Sequence, residues 1–163
     1  MRKVALITDG WRRLFTYAWP AGILQRIRET GEDVNLYIFN STGNWSRDAG
    51  YNRAEYNIYN LPELSDFDGI ILELNNISSP AVLADVISNA KRSGRPVVSI
   101  ANELGDFYYV GIDNYSAMKQ VIAHLHEVHD CKKFWLLVGA QDNYESSCRL
   151  QGMLDYAKEH KIK

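Results

Sequence analysis

DGIILELNNISSPAVLADVISNAKRSGRPVVSI, residues 68–100, holds two short apolar runs with a helical stretch between them. Asp68-Gly69-Ile70-Ile71-Leu72 and Pro96-Val97-Val98-Ser99-Ile100 are too short for helices and too continuously apolar for strands with one wet face. Runs of that kind suit strands of a parallel sheet covered on both sides. Between them, Ser79-Pro80 supplies an N-cap followed by proline at the first helical position, and the helix runs to about Ser93-Gly94. Strand, helix and strand make one βαβ unit.

The same grammar extends in both directions. Upstream, Val4-Ala5-Leu6-Ile7 is a strand closed by Asp9-Gly10. Trp19, Ile23, Leu24 and Ile27 then recur at helical spacing between Phe15 and Thr30, with Gly31 as a stop and Pro20 either in the first turn or at a kink. Val34 to Phe39 is a second strand running out into Asn40-Ser41-Thr42-Gly43. Residues 44–60, with Trp45, Tyr51, Tyr56 and Tyr59, lack an apolar stripe wide enough for a core helix and read at most as a surface helix. Downstream, residues 107–112 form a strand, and Asp113 or Asn114 caps a helix with Ala117, Val121, Leu125 and Val128 on one stripe. Phe134 to Val138 is another strand, and Asp142 stands three before Glu145 at the start of a helix whose inner face is Leu150, Met153, Leu154 and Ala157.

This order predicts an α/β fold: a parallel sheet with right-handed crossovers and helices on both faces. Residues 1–106 read as one lobe. Residues 107–163 read as the start of a second, incomplete lobe, because two strands are a meagre sheet.

The chain has 163 residues, 46% of them hydrophobic and 23% charged, the proportions of a soluble globular protein. Eighteen Lys and Arg against twenty Asp and Glu leave a net charge of −2, and the basic residues are scattered. No basic stripe tracks a phosphate backbone, so the chain by itself is a poor nucleic-acid binder. Cys131 and Cys148 lack a C-x-x-C spacing and read as reduced thiols. The apolar N-terminal run is broken by Asp9, and no apolar run reaches the roughly 18 residues a membrane span needs, so a cytoplasmic chain with no membrane contact is expected.

The chain contains no G-x-G-x-x-G, no P-loop and no G-x-S-x-G elbow, so no nucleotide cofactor and no nucleophilic catalysis are expected. His124-x-His126-x-x-His129 is one residue short of H-E-x-x-H and reads as helix-end histidines, so no metal is expected. Asp9, Asp68 and Lys91 lack the paired acids of a phosphoacceptor pocket. What remains lies at the carboxyl ends of the strands: Asp9 to Phe15, Asn40 to Trp45, Asn75 and Asn76, Asn102 and Glu103. In open α/β sheets that edge binds ligands, and aromatic faces beside Asn, Asp and Arg suit a sugar or another small polar ring. The alternative is that these are ordinary loop residues.

Val110-Gly111-Ile112-Asp113-Asn114-Tyr115, His124-Leu125, Val138-Gly139 and Arg149-Leu150-Gln151-Gly152-Met153, with Asp68-Gly69-Ile70-Ile71 and Gly94-Arg95-Pro96-Val97-Val98, together resemble the sensor module of LacI/GalR-type regulators. The resemblance covers essentially the whole chain. It implies a periplasmic-binding-protein-like type I fold whose two lobes close on a small effector, usually a sugar or a purine, in a homodimer. DNA would be reached only through a headpiece absent from this sequence. It also implies that Phe15 and Thr16 line the cleft and that Arg149 contacts the ligand, joining Asp9, Asn40 and Asn102 at the strand edge. Asn102-Glu103 departs from the family's usual Asp-Arg. For Arg149 the physical alternative is a helical pair with Glu145. The expected function is non-catalytic sensing of a small molecule, a sugar. The alternatives are the input of a signalling enzyme such as a diguanylate cyclase, a solute-binding protein, or a small α/β enzyme.

Overall fold

The first apolar run becomes β1 (Arg2–Asp9), and its Ala5, Leu6 and Ile7 are fully buried. A computed structural model describes residues 1–10, 13–42, 46–77, 79–139 and 143–162, with the backbone alone for 13–16. Trp11, Trp45 and Asp142 therefore lie outside the described residues. The chain divides into two compact units, Met1–Val110 and Gly111–Lys163.

In the first unit β1 is flanked by β2 (Val34–Ser41) and β3 (Gly69–Glu73), followed by β4 (Val97–Ile100) and β5 (Tyr108–Val110). Every pair is parallel and the order is β2-β1-β3-β4-β5. From β1 the chain steps one way to β2 and the other way to β3. Right-handed crossovers consequently set α1 (Arg13–Thr30) and α3 (Pro80–Arg92) on opposite faces. The strand order reverses beside β1, the point in an open α/β sheet outside whose carboxyl strand ends ligands generally bind.

Ser79 Oγ accepts from the Val82 N–H at 3.5 Å and Pro80 opens α3, as its sequence requires. Val86 and Ala90 are buried at i and i+4, and Val82, Leu83 and Ile87 widen that stripe against Ile70, Leu72 and Val97. In α1, Gly31 ends the helix at φ +67°, while Pro20 lies inside it, buried, past the first turn. The apolar stripe of α1 is narrower than its spacing suggests: Ile23 and Ile27 are half-buried, and Trp19 and Leu24 are exposed.

Two expectations fail in the first unit. Of the stretch expected over 44–60, residues 46–60 are more than a surface segment: α2 (Ala49–Glu55) leads into a 3-10 turn, Tyr56–Asn60, whose Tyr56 and Tyr59 are buried in the core. A tyrosine ring buries like any large apolar group provided its hydroxyl finds a partner, so polar neighbours hid the core role. The strand expected over 107–112 is shorter, and it pairs with β4 at the edge of the same sheet.

The second unit is a helix pair, α4 (Asn114–Glu127) and α5 (Tyr144–Glu159). Asp113 caps α4 by accepting from Ser116 N–H at 2.9 Å, and Asn143 caps α5 by accepting from the Ser146 N–H at 2.9 Å. Ile122, Gly152 and Tyr156 are buried in the pair. Tyr115 donates from its hydroxyl to Asp155 at 3.0 Å across it. Residues 134–138, expected as a strand, form no strand, and Trp135 and Leu137 are fully exposed. A strand exists only by virtue of a neighbour's ladder, and none is formed there among the described residues. For the same reason the expected α4 stripe faces outward at Ala117, Val121 and Val128.

Candidate functional site

β1 ends in Thr8 and Asp9, both 2% exposed, in register with Asn40 and Ser41 of β2; Thr8 also pairs with Glu73 of β3. A carboxylate this deep needs partners. Thr8 Oγ1 donates to Glu73 Oε2 at 2.8 Å. The Tyr56 hydroxyl reaches Asp9 Oδ2 at a long 3.5 Å, and Tyr59 donates to the Thr8 carbonyl at 3.0 Å. Asn76 Nδ2 donates to the Asp9 carbonyl at 2.7 Å, tying the turn after β3 to the end of β1.

Burial raises the Asp9 carboxyl to about 7, the nearby Glu73 charge adds to the rise, and the Tyr56 hydroxyl opposes it. Burial, then the charge of Asp9, raises the Tyr59 hydroxyl as well, so it stays a neutral donor. Tyr59→Phe removes that donor and leaves the Thr8 carbonyl without it. We expect a loss of about 1–2 kcal/mol in chemical denaturation, with the folded structure intact by circular dichroism.

Three side-chain oxygens on this edge are buried without a hydrogen-bond partner: Oδ1 of Asn40, Asn75 and Asn102. They belong to β2, to the turn after β3, and to the segment after β4, so two of them lie at strand ends beside β1 and the third one strand further along the sheet. After β4 the chain turns through Ala101 at φ +67°, a left-handed conformation that costs a residue with a Cβ about 1–2 kcal/mol. Ala101 N–H donates to the Val110 carbonyl at 2.9 Å, and Ser99 Oγ donates to the Asn102 carbonyl at 2.5 Å, so the turn is held from both sides. Unsatisfied buried acceptors are rare in folded proteins, and three on one sheet edge ask for donors from outside the chain.

The structure thus brings Asp9, Asn40 and Asn102 to one edge, as expected. Phe15 and Thr16 fall in the first turn of α1, and their side chains lie outside the described residues. Arg149 belongs to the second unit, where Nη1 donates to Asn114 Oδ1 at 2.7 Å and Nη2 reaches Ser146 Oγ at 3.4 Å. Its buried partner is Asn114, and Asn114 Nδ2 in turn reaches Glu145 at 3.5 Å. Sequence reasoning missed Glu73, Tyr56 and Tyr59 in the first unit and Asn114 as the anchor of Arg149. A single acid inside the apolar run of residues 69–74 was the available signal for Glu73. Among the described residues no group of three or more His, Cys, Asp or Glu is arranged to hold a metal, and Cys131 and Cys148 are free thiols.

No protein-family model and no curated protein matches the chain. Solved structures do. An ABC-transporter periplasmic solute-binding protein from Actinobacillus succinogenes with bound D-allose superposes with a TM-score of 0.72 at 16% identity, covering 99% of this chain and 57% of that one. This is the periplasmic-binding-protein-like type I fold. The same fold is shared with GanP, a glucose-galactose binding protein from Geobacillus stearothermophilus, at a TM-score of 0.68, 20% identity, and coverage of 99% and 55%. The transcription regulator CcpA of Lactococcus lactis gives 0.68, 19%, and coverage of 100% and 55%. The chain therefore spans just over half the length of these type I structures.

Proposed function

We propose that the chain is the effector-binding part of a LacI/GalR-type regulator and that the effector is a sugar. The observation that carries this reading is the row of unpartnered oxygens of Asn40, Asn75 and Asn102 beside the buried Asp9. A sugar ring offers several O–H donors along one edge, and each hydroxyl can satisfy such an oxygen without importing charge. A carboxylate or phosphate ligand would bring further negative charge beside Asp9, whose own charge burial and Glu73 already disfavour.

In this reading residues 1–106 are one lobe and residues 107–163 begin the other. Phe15, Thr16 and Arg149 join Asp9, Asn40 and Asn102 on the ligand. Binding favours the closed arrangement and so biases an attached DNA-binding domain in a cytoplasmic homodimer. No residue has to do covalent chemistry. A solute-binding protein is the second reading, supported by the periplasmic and sugar-binding proteins among the similar structures.

The test is calorimetry and thermal shift of the full-length protein with D-allose, D-glucose and D-galactose. A bound sugar raises the melting temperature by mass action, worth about 2.7 kcal/mol at a hundredfold excess over Kd. Change of operator DNA affinity on sugar binding supports the regulator. Sugar binding without any DNA affinity supports the solute-binding protein, and no shift with any of the three removes the sugar.

A further inference from the structure

Helix α4 ends on the Val128 N–H, which donates to the His124 carbonyl at 3.0 Å. Asp130 then adopts φ +52°, and the Cys131 N–H donates back to the Leu125 carbonyl at 3.1 Å. This reversal folds the chain over the last helical turn. Just before it, His129 Nε2 lies 3.1 Å from His124 Nε2, with the rings meeting edge-on, 4.9 Å between centroids and 75° between planes. Two residues five apart are not neighbours on a regular helix, and the pair forms where the chain has left α4 after Glu127.

Two imidazole nitrogens at this distance face a simple alternative. One can donate its proton to the other, or both can turn lone pairs to a shared ion. Metal–imidazole bonds of about 2.0–2.1 Å from both nitrogens would meet at roughly 100° over the observed separation, an angle close to tetrahedral and octahedral values. We infer that His124 and His129 are a chelating pair for a divalent transition-metal ion of the kind that prefers imidazole, such as Zn²⁺ or Ni²⁺.

The surroundings suit an exchangeable site. Both rings are exposed, so water completes the coordination, in keeping with the lack of any third His, Cys, Asp or Glu converging there among the described residues. Lys132 is paired with Asp130 at 3.3 Å, which balances the cation next to the site. His126 is engaged elsewhere, with Nδ1 against the Tyr156 hydroxyl at 3.2 Å, and is the internal control. A bound ion would pin the turn at residues 129–131 to the helix. The pair belongs wholly to the second unit, and the inference is independent of the sugar reading.

The test is titration calorimetry of the full chain, without an affinity tag and with its thiols reduced, using Zn²⁺ and Ni²⁺ as separate probes. We expect one ion per chain near pH 7.5. His124→Gln and His129→Gln should each weaken binding at least as much as the ~10–100-fold seen on losing an outer-shell partner, while His126→Gln leaves it unchanged. Absence of binding in the wild type overturns the inference. So does binding that survives both substitutions, or that disappears instead with Cys131→Ser.

Discussion

Asp9→Asn is expected to make the protein more stable and worse at binding. The Asp9 carboxyl sits at about 7 in the fold against an ordinary 3.8, because burial and then Glu73 disfavour its charge. Below about pH 4 the group is neutral whether folded or unfolded, and it costs nothing. Between about pH 4 and 7 the unfolded chain ionises freely while the folded chain must hold the proton. Stability therefore falls as pH rises through that window and levels off above it, by as much as about 4 kcal/mol. Asparagine keeps the shape and removes the charge. Denaturation at pH 8 should be shifted up by several degrees, and the stability slope between pH 4 and 7 should flatten. Binding of the effector should weaken about 10–100-fold, the worth of one hydrogen bond to a charged acceptor. A site residue gives these opposite signs. A drop in melting temperature together with unchanged binding would make Asp9 a structural residue of β1 instead.

Gly152→Ala is expected to loosen the second unit. A Cβ at Gly152 would lie well inside van der Waals contact with the carbonyl oxygen of Tyr115 and close to its carbon, so backbone has to move. That displaces α5 from α4 at the point where Tyr156 is buried and a few residues from the Arg149–Asn114 hydrogen bond. The cost should be about 1–3 kcal/mol, read as a lower denaturation midpoint in the helical signal. Gly22 in α1 is the contrast, since a Cβ there meets nothing within 4 Å. Gly22→Ala should raise stability by about 0.5–1 kcal/mol, because alanine loses less freedom in a helix than glycine does. If both substitutions destabilise equally, close helix packing is not what requires glycine at position 152.

Much of the first unit was legible in the chain because its signals are local. Ser79-Pro80, Gly31 and the apolar runs at residues 4–7, 69–72 and 97–100 act within a few residues of themselves, and each element formed where its own chemistry asked for it. The strand-end residues Asp9, Asn40 and Asn102 followed from position alone, since a parallel sheet gathers its carboxyl ends on one edge.

The remainder depended on partners distant in sequence. Phe134 to Val138 has the composition of a strand but stands unpaired, because a strand needs another strand's hydrogen bonds and composition cannot supply them. Tyr56 and Tyr59 look like surface residues until Asp9 and the Thr8 carbonyl, some fifty residues away, give their hydroxyls a place to bond. His124 and His129 miss helical spacing, and their nitrogens meet only where the chain has left α4 after Glu127. By itself the sequence determined the order and type of most elements and the edge on which the polar strand-end residues gather. The tertiary structure decided which polar groups were left without partners there and how far burial moved Asp9, because pairing and desolvation depend on neighbours that only folding brings close.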